Sequence, residues 1–195
     1  MSTRHRIARV AGASLNPAAV AACLLLLLAA DWASGRAGGS FMPGGPLDAV
    51  AHLLTALLLL QALPPRYRRR FALPSLVASV AIDLDHVPQY LGHDFLTVGT
   101  ARPYPHSLLT IALLLTAALL VRRRRDLLLG LALGIALHFF RDLAEGSGAA
   151  VPLLWPLSDR SFSYPHSTYI ALMVCVAAAD ACIAVLSLRS RPATP

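Results

Sequence analysis

The chain has 195 residues, 56% of them apolar and only 14% charged, with a mean hydropathy of +0.62 and a formal charge of +7. That balance is too apolar for a soluble domain of this length. The positive charge does not indicate nucleic acid, because the arginines stand in tight clusters without interleaved stacking aromatics.

Six apolar runs follow one another at roughly residues 17–33, 48–63, 71–86, 107–121, 127–142 and 168–188. Most fall somewhat short of the ~20 residues that cross a bilayer core, so flanking residues must complete several spans. Any one short run could be a buried helix of a soluble protein. Six in series, separated by arginine clusters and Pro/Gly loops, instead predict an all-α polytopic membrane bundle of about six transmembrane helices. The whole chain, 1–195, reads as one membrane-embedded domain, with a basic tail at 1–16 and a short tail at 189–195. Residues 1–33 also have the basic start, the Leu24–Leu28 core and the small residues near Ala33 of a cleavable signal peptide. Either reading leaves the second span entering from the same side.

Arginine distribution sets the orientation. Arg4, Arg6 and Arg9 precede the first span, Arg66, Arg68, Arg69 and Arg70 follow the second, Arg122 to Arg125 separate the fourth and fifth, and Arg189 and Arg191 follow the sixth. If six helices alternate, all four groups share one side, which the resistance of positive loops to translocation makes cytoplasmic, with both termini inside. The opposite side keeps Arg36, Arg102, Arg141 and Arg160 and collects Trp32, Tyr90, Tyr104, Trp155, Tyr164 and Tyr169, as expected at a headgroup boundary. Six of the seven histidines and eight of the ten acidic residues fall on this outer side.

The outer ends of helices two to five each bring an imidazole, carboxylates or both to one depth. Asp48 and His52 stand one turn apart near the start of the second helix. The third ends in Asp83-Leu84-Asp85-His86-Val87-Pro88, where Pro88 is expected to close the helix. His106, in Tyr104-Pro105-His106-Ser107, opens the fourth, and His138 and Asp142 share one face at the end of the fifth. Carboxylates gathered at a partly desolvated edge repel one another, and a divalent cation of the zinc type, in one copy or more, removes that cost. A lone histidine at a helix end is ordinarily a polar cap, so it is the convergence that predicts a metal centre.

The His52 helix, the Asp83-Leu84-Asp85-His86 element, the Pro105-His106-Ser107 element, the His138-Phe139-Phe140-Arg141-Asp142 element and the segment Val151-Pro152-Leu153-Leu154-Trp155-Pro156-Leu157 resemble, in that order, the YdjM-like family of bacterial inner-membrane metal-dependent hydrolases. The resemblance covers roughly residues 45–165, and more distantly it extends to the helical zinc phospholipase C and single-strand nuclease group. It implies His52, Asp83, Asp85, His86, His106, His138 and Asp142 as the metal-site residues. Family members often carry a further histidine where this chain has Ala101, so His93 is a candidate replacement. His166, in a second Tyr-Pro-His-Ser at 164–167, is a candidate peripheral ligand, although Pro and Ser there also suit a helix start.

The function expected from these observations is metal-dependent hydrolysis of a phosphoester or lipid-linked substrate at the extracytoplasmic face of the inner membrane. A bound metal would acidify water and polarise the scissile group, with Asp83 or Asp85 as base or bridging ligand. Arg102 and Arg141 would receive phosphate oxygens, or else pair with Asp94 or Glu145. No Gly-x-Ser-x-Gly element offers a covalent mechanism. The Pro-Ser-Gly-His element of the other common class of membrane lipid phosphatase is also missing. The alternative is a metal-binding membrane protein without turnover, such as a transporter, sensor or assembly factor. The ligands lie at the boundary rather than at the midplane expected of an ion transporter. Cys23, Cys175 and Cys182 are odd in number and lack ligand spacing, and Asp180 lies too deep in the last helix to join the cluster.

Overall fold

A computed structural model describes residues 14–37, 42–97, 100, 102–144 and 151–189. Within them lie six helices: α1 (Pro17–Ala37), α2 (Gly44–Gln61), α3 (Pro65–Ala81), α4 (Leu108–Leu120), α5 (Arg125–Asp142) and α6 (His166–Arg189). The described residues contain no strand beyond two isolated bridges, so the protein is all-α. The expected basic tails lie outside the described residues, apart from residues 14–16 and 189.

Local sequence explains where the helices begin. The Asn16 side-chain oxygen accepts the Ala19 amide at 2.8 Å, and Pro17 occupies the first turn of α1, where its missing N–H costs nothing. Pro64 and Pro65 likewise open α3. α1, α2, α6 and α3 with its extension to Tyr90 are long and apolar enough to cross a membrane. α4 has only 13 residues. α5 carries Arg125 and Asp126 at one end and Arg141 and Asp142 at the other.

Pro88 does not close the third helix as the sequence suggests. The α-helix stops earlier, at Ala81, tightens into a 3₁₀ turn over Ile82–His86 and resumes as a short helical turn over Val87–Tyr90. Pro88 falls in the first turn of that last piece, where an absent N–H breaks no bond.

Two apolar clusters hold the bundle. Val20, Leu27, Ala51, Leu58, Tyr169 and Met173 join α1, α2 and α6, and Ala78, Ile82, Ile135 and Phe139 join α3 to α5 with Ile111 and Leu114 of α4 against them. α3 and α5 make the most extensive pair. Their closeness follows from Gly130-x-x-x-Gly134, a spacing that lets membrane helices meet backbone to backbone. A Cβ at Gly134 would lie 2.3 Å from the Ser75 carbonyl oxygen, and the Ser75 hydroxyl donates to the Gly130 carbonyl at 2.8 Å.

Polarity separates the two ends of the bundle. Arg70 pairs with Asp126 at 2.5 Å between the starts of α3 and α5, and buried Arg68 donates to the Gln61 carbonyl at 2.9 Å near Asp180. His52, His86, His106 and His138 gather with Asp48, Asp83, Asp85 and Asp142 at the opposite end of the bundle. Gly134→Ile should therefore destabilise the protein in detergent by more than the ~1–3 kcal/mol of an ordinary overpacked core position, read as a lowered thermal midpoint. Gly45→Ala, whose Cβ meets nothing within 4 Å, should change it little. Equal midpoints for the two variants would contradict the close α3–α5 contact.

Candidate metal centre

The α3–α5 contact delivers the first pair of elements to the centre. The 3₁₀ turn takes its hydrogen bonds three residues back, which leaves the Ser79 carbonyl available to a side chain. His138 Nδ1 lies 2.9 Å from it, and since a carbonyl only accepts, Nδ1 carries the proton. The His138 Nε2 lone pair therefore faces Asp142 Oδ2 at 3.2 Å, Asp83 Oδ1 at 3.4 Å and His106 Nε2 at 3.2 Å.

His106 is oriented in the same way. Its Nδ1 lies 3.1 Å from Asp85 Oδ2 and donates to it, leaving Nε2 3.5 Å from Asp83 Oδ1 and 3.7 Å from Asp142 Oδ2. A tetrahedral shell around a small divalent cation with bonds of about 2.0–2.1 Å has its ligand atoms about 3.3–3.4 Å apart. The separations of His106 Nε2 and His138 Nε2 from each other and from Asp83 Oδ1 and Asp142 Oδ2, 3.2–3.7 Å, are close to those of such a shell. Both imidazoles have the second-nitrogen partner that metal-binding histidines use to fix tautomer and ring orientation. Burial by itself would lower the His106 pKa, but its hydrogen bonds to Asp83 and Asp85 and the charge of Asp142 raise it to about 9. The surrounding carboxylates favour positive charge at this point.

The remaining candidates surround these four atoms. His86 Nδ1 lies 3.1 Å from Asp85 Oδ1, so the Asp85 carboxylate spans two imidazoles, and Asp83, His86 and His106 form one grouping compact enough to chelate an ion. His52 stacks on His138 with ring centroids 3.8 Å apart, its Nε2 3.3 Å from Asp142 Oδ1 and 3.4 Å from Asp48 Oδ2. It shares two further chelating groupings, with His138 and Asp142 and with Asp48 and Asp83.

Both arginines are committed to carboxylates. Arg102 donates to Asp142 Oδ2 at 2.9 Å. Arg141, only 1% exposed, donates from Nη1 to Asp48 Oδ1 at 2.5 Å and from Nη2 to Asp31 Oδ1 at 2.9 Å. The partners considered from sequence were Asp94 and Glu145. Asp94 is exposed and Glu145 lies outside the described residues, as does Ala101. His93 is exposed on the loop after Gly92 and belongs to none of the chelating groupings. His166 reaches the periphery, with Nε2 3.1 Å from Asp31 Oδ2.

Asp31, the Ser79 carbonyl and Thr55 had no assigned role in the sequence, and Tyr169, expected at the headgroup boundary, is instead buried with its hydroxyl 2.7 Å from that of Thr55. For Asp31 a signal existed, since it is the one acid in the first apolar run and such acids mark polar partners. The carbonyl is released by a backbone transition that no residue type announces.

An all-helical bundle that gathers buried imidazoles and carboxylates at one end defines a polytopic membrane protein with a candidate metal centre. The family model described as YdjM inner membrane protein matches residues 47–193, and the chain belongs to that family. The match takes in α2 from Leu47 onward, α3 to α6 and all the cluster except Asp31. No curated protein matches, and no solved structure does.

His138→Ala and Asp142→Ala should each lower bound metal severalfold in detergent-purified protein while leaving membrane insertion intact, because insertion depends on apolar spans that neither change alters. Elemental analysis beside a membrane-fraction blot checks this. Full metal content in both variants would remove α5 from the centre.

Proposed function

We propose that the protein is a membrane-embedded metal-dependent hydrolase acting on a phosphoester or similar lipid-linked substrate at the extracytoplasmic face. The observation that carries this reading is the spacing of Asp83, His106, His138 and Asp142, with both imidazole lone pairs turned inward. His106, His138 and Asp142 would hold the ion, zinc by the nitrogen and oxygen character of the set, with the more exposed Asp83 beside the fourth position, which hydrolysis requires open to water, and His86 at the rim. A bound zinc-type ion supplies Lewis-acid polarisation of the scissile group and acidifies water.

The chain's own groups divide the remaining work. His106, His138 and Asp142 have side chains 0–1% exposed, whereas that of Asp83 is 27% exposed, so solvent and substrate approach on the Asp83 side. Asp83 is thereby the better placed carboxylate to accept a proton from attacking water. Asp85, with both oxygens on imidazoles, positions His106 and His86. Arg102 adds positive charge beside Asp142, which favours an anionic substrate.

Substrate class follows from what adjoins the centre. An apolar groove lined by Leu53, Leu76, Val77, Val80, Ala81 and Leu84 runs along α2 and α3, and Leu84 stands between Asp83 and Asp85. A lipid could place its chain in this groove and its headgroup at the carboxylates.

Two tests apply. Asp83→Asn keeps size and one ligating oxygen but loses the basic site, so turnover should fall by about a hundredfold or more, the scale of lost acid–base assistance. Asp85→Asn should cost less. The assay uses phosphatidic acid and p-nitrophenyl phosphate with chelator and zinc controls. If metal-loaded wild type turns over no phosphoester, ester or amide, the non-catalytic metal-binding reading replaces this one.

Sidedness is checked by cysteine labelling in a background free of native cysteines. His93→Cys is the better probe than the adjacent glycine, because Gly92 has φ +83°, which strains any other residue. A membrane-impermeant maleimide added to intact cells should label His93→Cys and spare Arg123→Cys. The reverse pattern would place the centre on the cytoplasmic side.

A further inference from the structure

We infer that the centre takes a single divalent ion, and that the guanidinium of Arg141 stands where a second ion would otherwise sit. The inference rests on the metal reading above and concerns how many ions the cluster accepts.

Asp142 has the geometry of a bridging carboxylate. Oδ2 faces His138 and His106, while Oδ1 faces His52 Nε2 at 3.3 Å, with Asp48 Oδ2 3.4 Å from the same nitrogen. His52, Asp48 and the far oxygen of Asp142 therefore outline a second cation position beside the first. Arg141 already occupies it. Its Nη1 is 3.1 Å from His52 Nε2 and 2.5 Å from Asp48 Oδ1, and its Nη2 is 2.9 Å from Asp31 Oδ1. These are the separations of charge-assisted hydrogen bonds, which leave no room for an ion between the same groups.

The histidines differ in a way that supports this division. His138 and His106 each have Nδ1 on an acceptor, the Ser79 carbonyl and Asp85 respectively. His52 Nδ1 is buried without a hydrogen-bond partner among the described residues. A ligating imidazole almost always donates its other N–H. His52 lacks that support, and its stacking on His138 at 3.8 Å makes it a cover over the occupied half rather than a ligand.

Charge divides along the same line. Asp83, Asp85 and Asp142 against Arg102 leave two negative charges, which one divalent cation neutralises. Asp31 and Asp48 against Arg141 leave one, faced by His166 Nε2 at 3.1 Å. A second divalent ion would have to share its pocket with a buried guanidinium.

The test is a metal count that needs no turnover. Cobalt titration of metal-stripped, detergent-purified wild type, followed by d–d absorption and elemental analysis, should saturate at one equivalent. His52→Ala should still bind one, with affinity within about threefold of wild type. Arg141→Gln, which removes the charge and retains polar groups, should bind a second equivalent, and Arg141→Lys should not. The double variant Arg141→Gln with His52→Ala should return to one. Two equivalents in wild type, or loss of the ion in His52→Ala, would overturn the inference while leaving the metal centre standing. No binding in wild type would instead remove the centre itself. If Arg141→Gln does not fold, the wild-type and His52→Ala counts still decide the single ion, whereas one equivalent in a folded Arg141→Gln would overturn the role of Arg141.

Discussion

The close contact of α3 with α5 is the constraint on which the rest depends. Gly130 and Gly134 remove the side chains that would hold the helices apart, so the end of α3 meets the end of α5 at hydrogen-bonding distance. One helix brings Asp83, Asp85 and a carbonyl released at a 3₁₀ transition. The other brings His138 and Asp142. Without that approach the Ser79 carbonyl could not fix the His138 tautomer, and the lone pair would have no defined direction.

Given that scaffold, electrostatics determines what the end of the bundle can hold. Asp31, Asp48, Asp83, Asp85 and Asp142 lie within one connected network with two guanidiniums and five imidazoles. At a membrane boundary such an excess of carboxylate is costly unless cations are present. Arg102 and Arg141 supply part of the compensation covalently. The remaining negative charge is concentrated where the imidazole lone pairs converge, which is why that half of the network suits a metal ion.

Much of this was legible in the sequence. The apolar runs gave six helices, and the i, i+4 pairs Asp48/His52 and His138/Asp142 meet at 3.4 and 3.2 Å because helical periodicity alone puts them on one face. Arginine clustering anticipated a polarised bundle. The tertiary pairings were not legible. Arg141 pairs across helices with Asp48 and Asp31, not with a neighbour in sequence, and a helical wheel of α5 cannot name its partners. The 3₁₀ turn was hidden because Pro88 drew attention to the wrong boundary. His93 was a candidate replacement ligand, and it stands exposed on the loop after Gly92, since residue type and proximity in sequence do not fix where a loop points.

The most direct measurement is X-ray absorption at the zinc edge on zinc-loaded protein in detergent. The expected spectrum shows four nitrogen or oxygen ligands at about 2.0–2.1 Å, with the multiple-scattering signature of two imidazoles and no sulfur. A sulfur shell, a six-oxygen shell without imidazole, or a hydrated ion indistinguishable from zinc in buffer would contradict a centre built by Asp83, His106, His138 and Asp142.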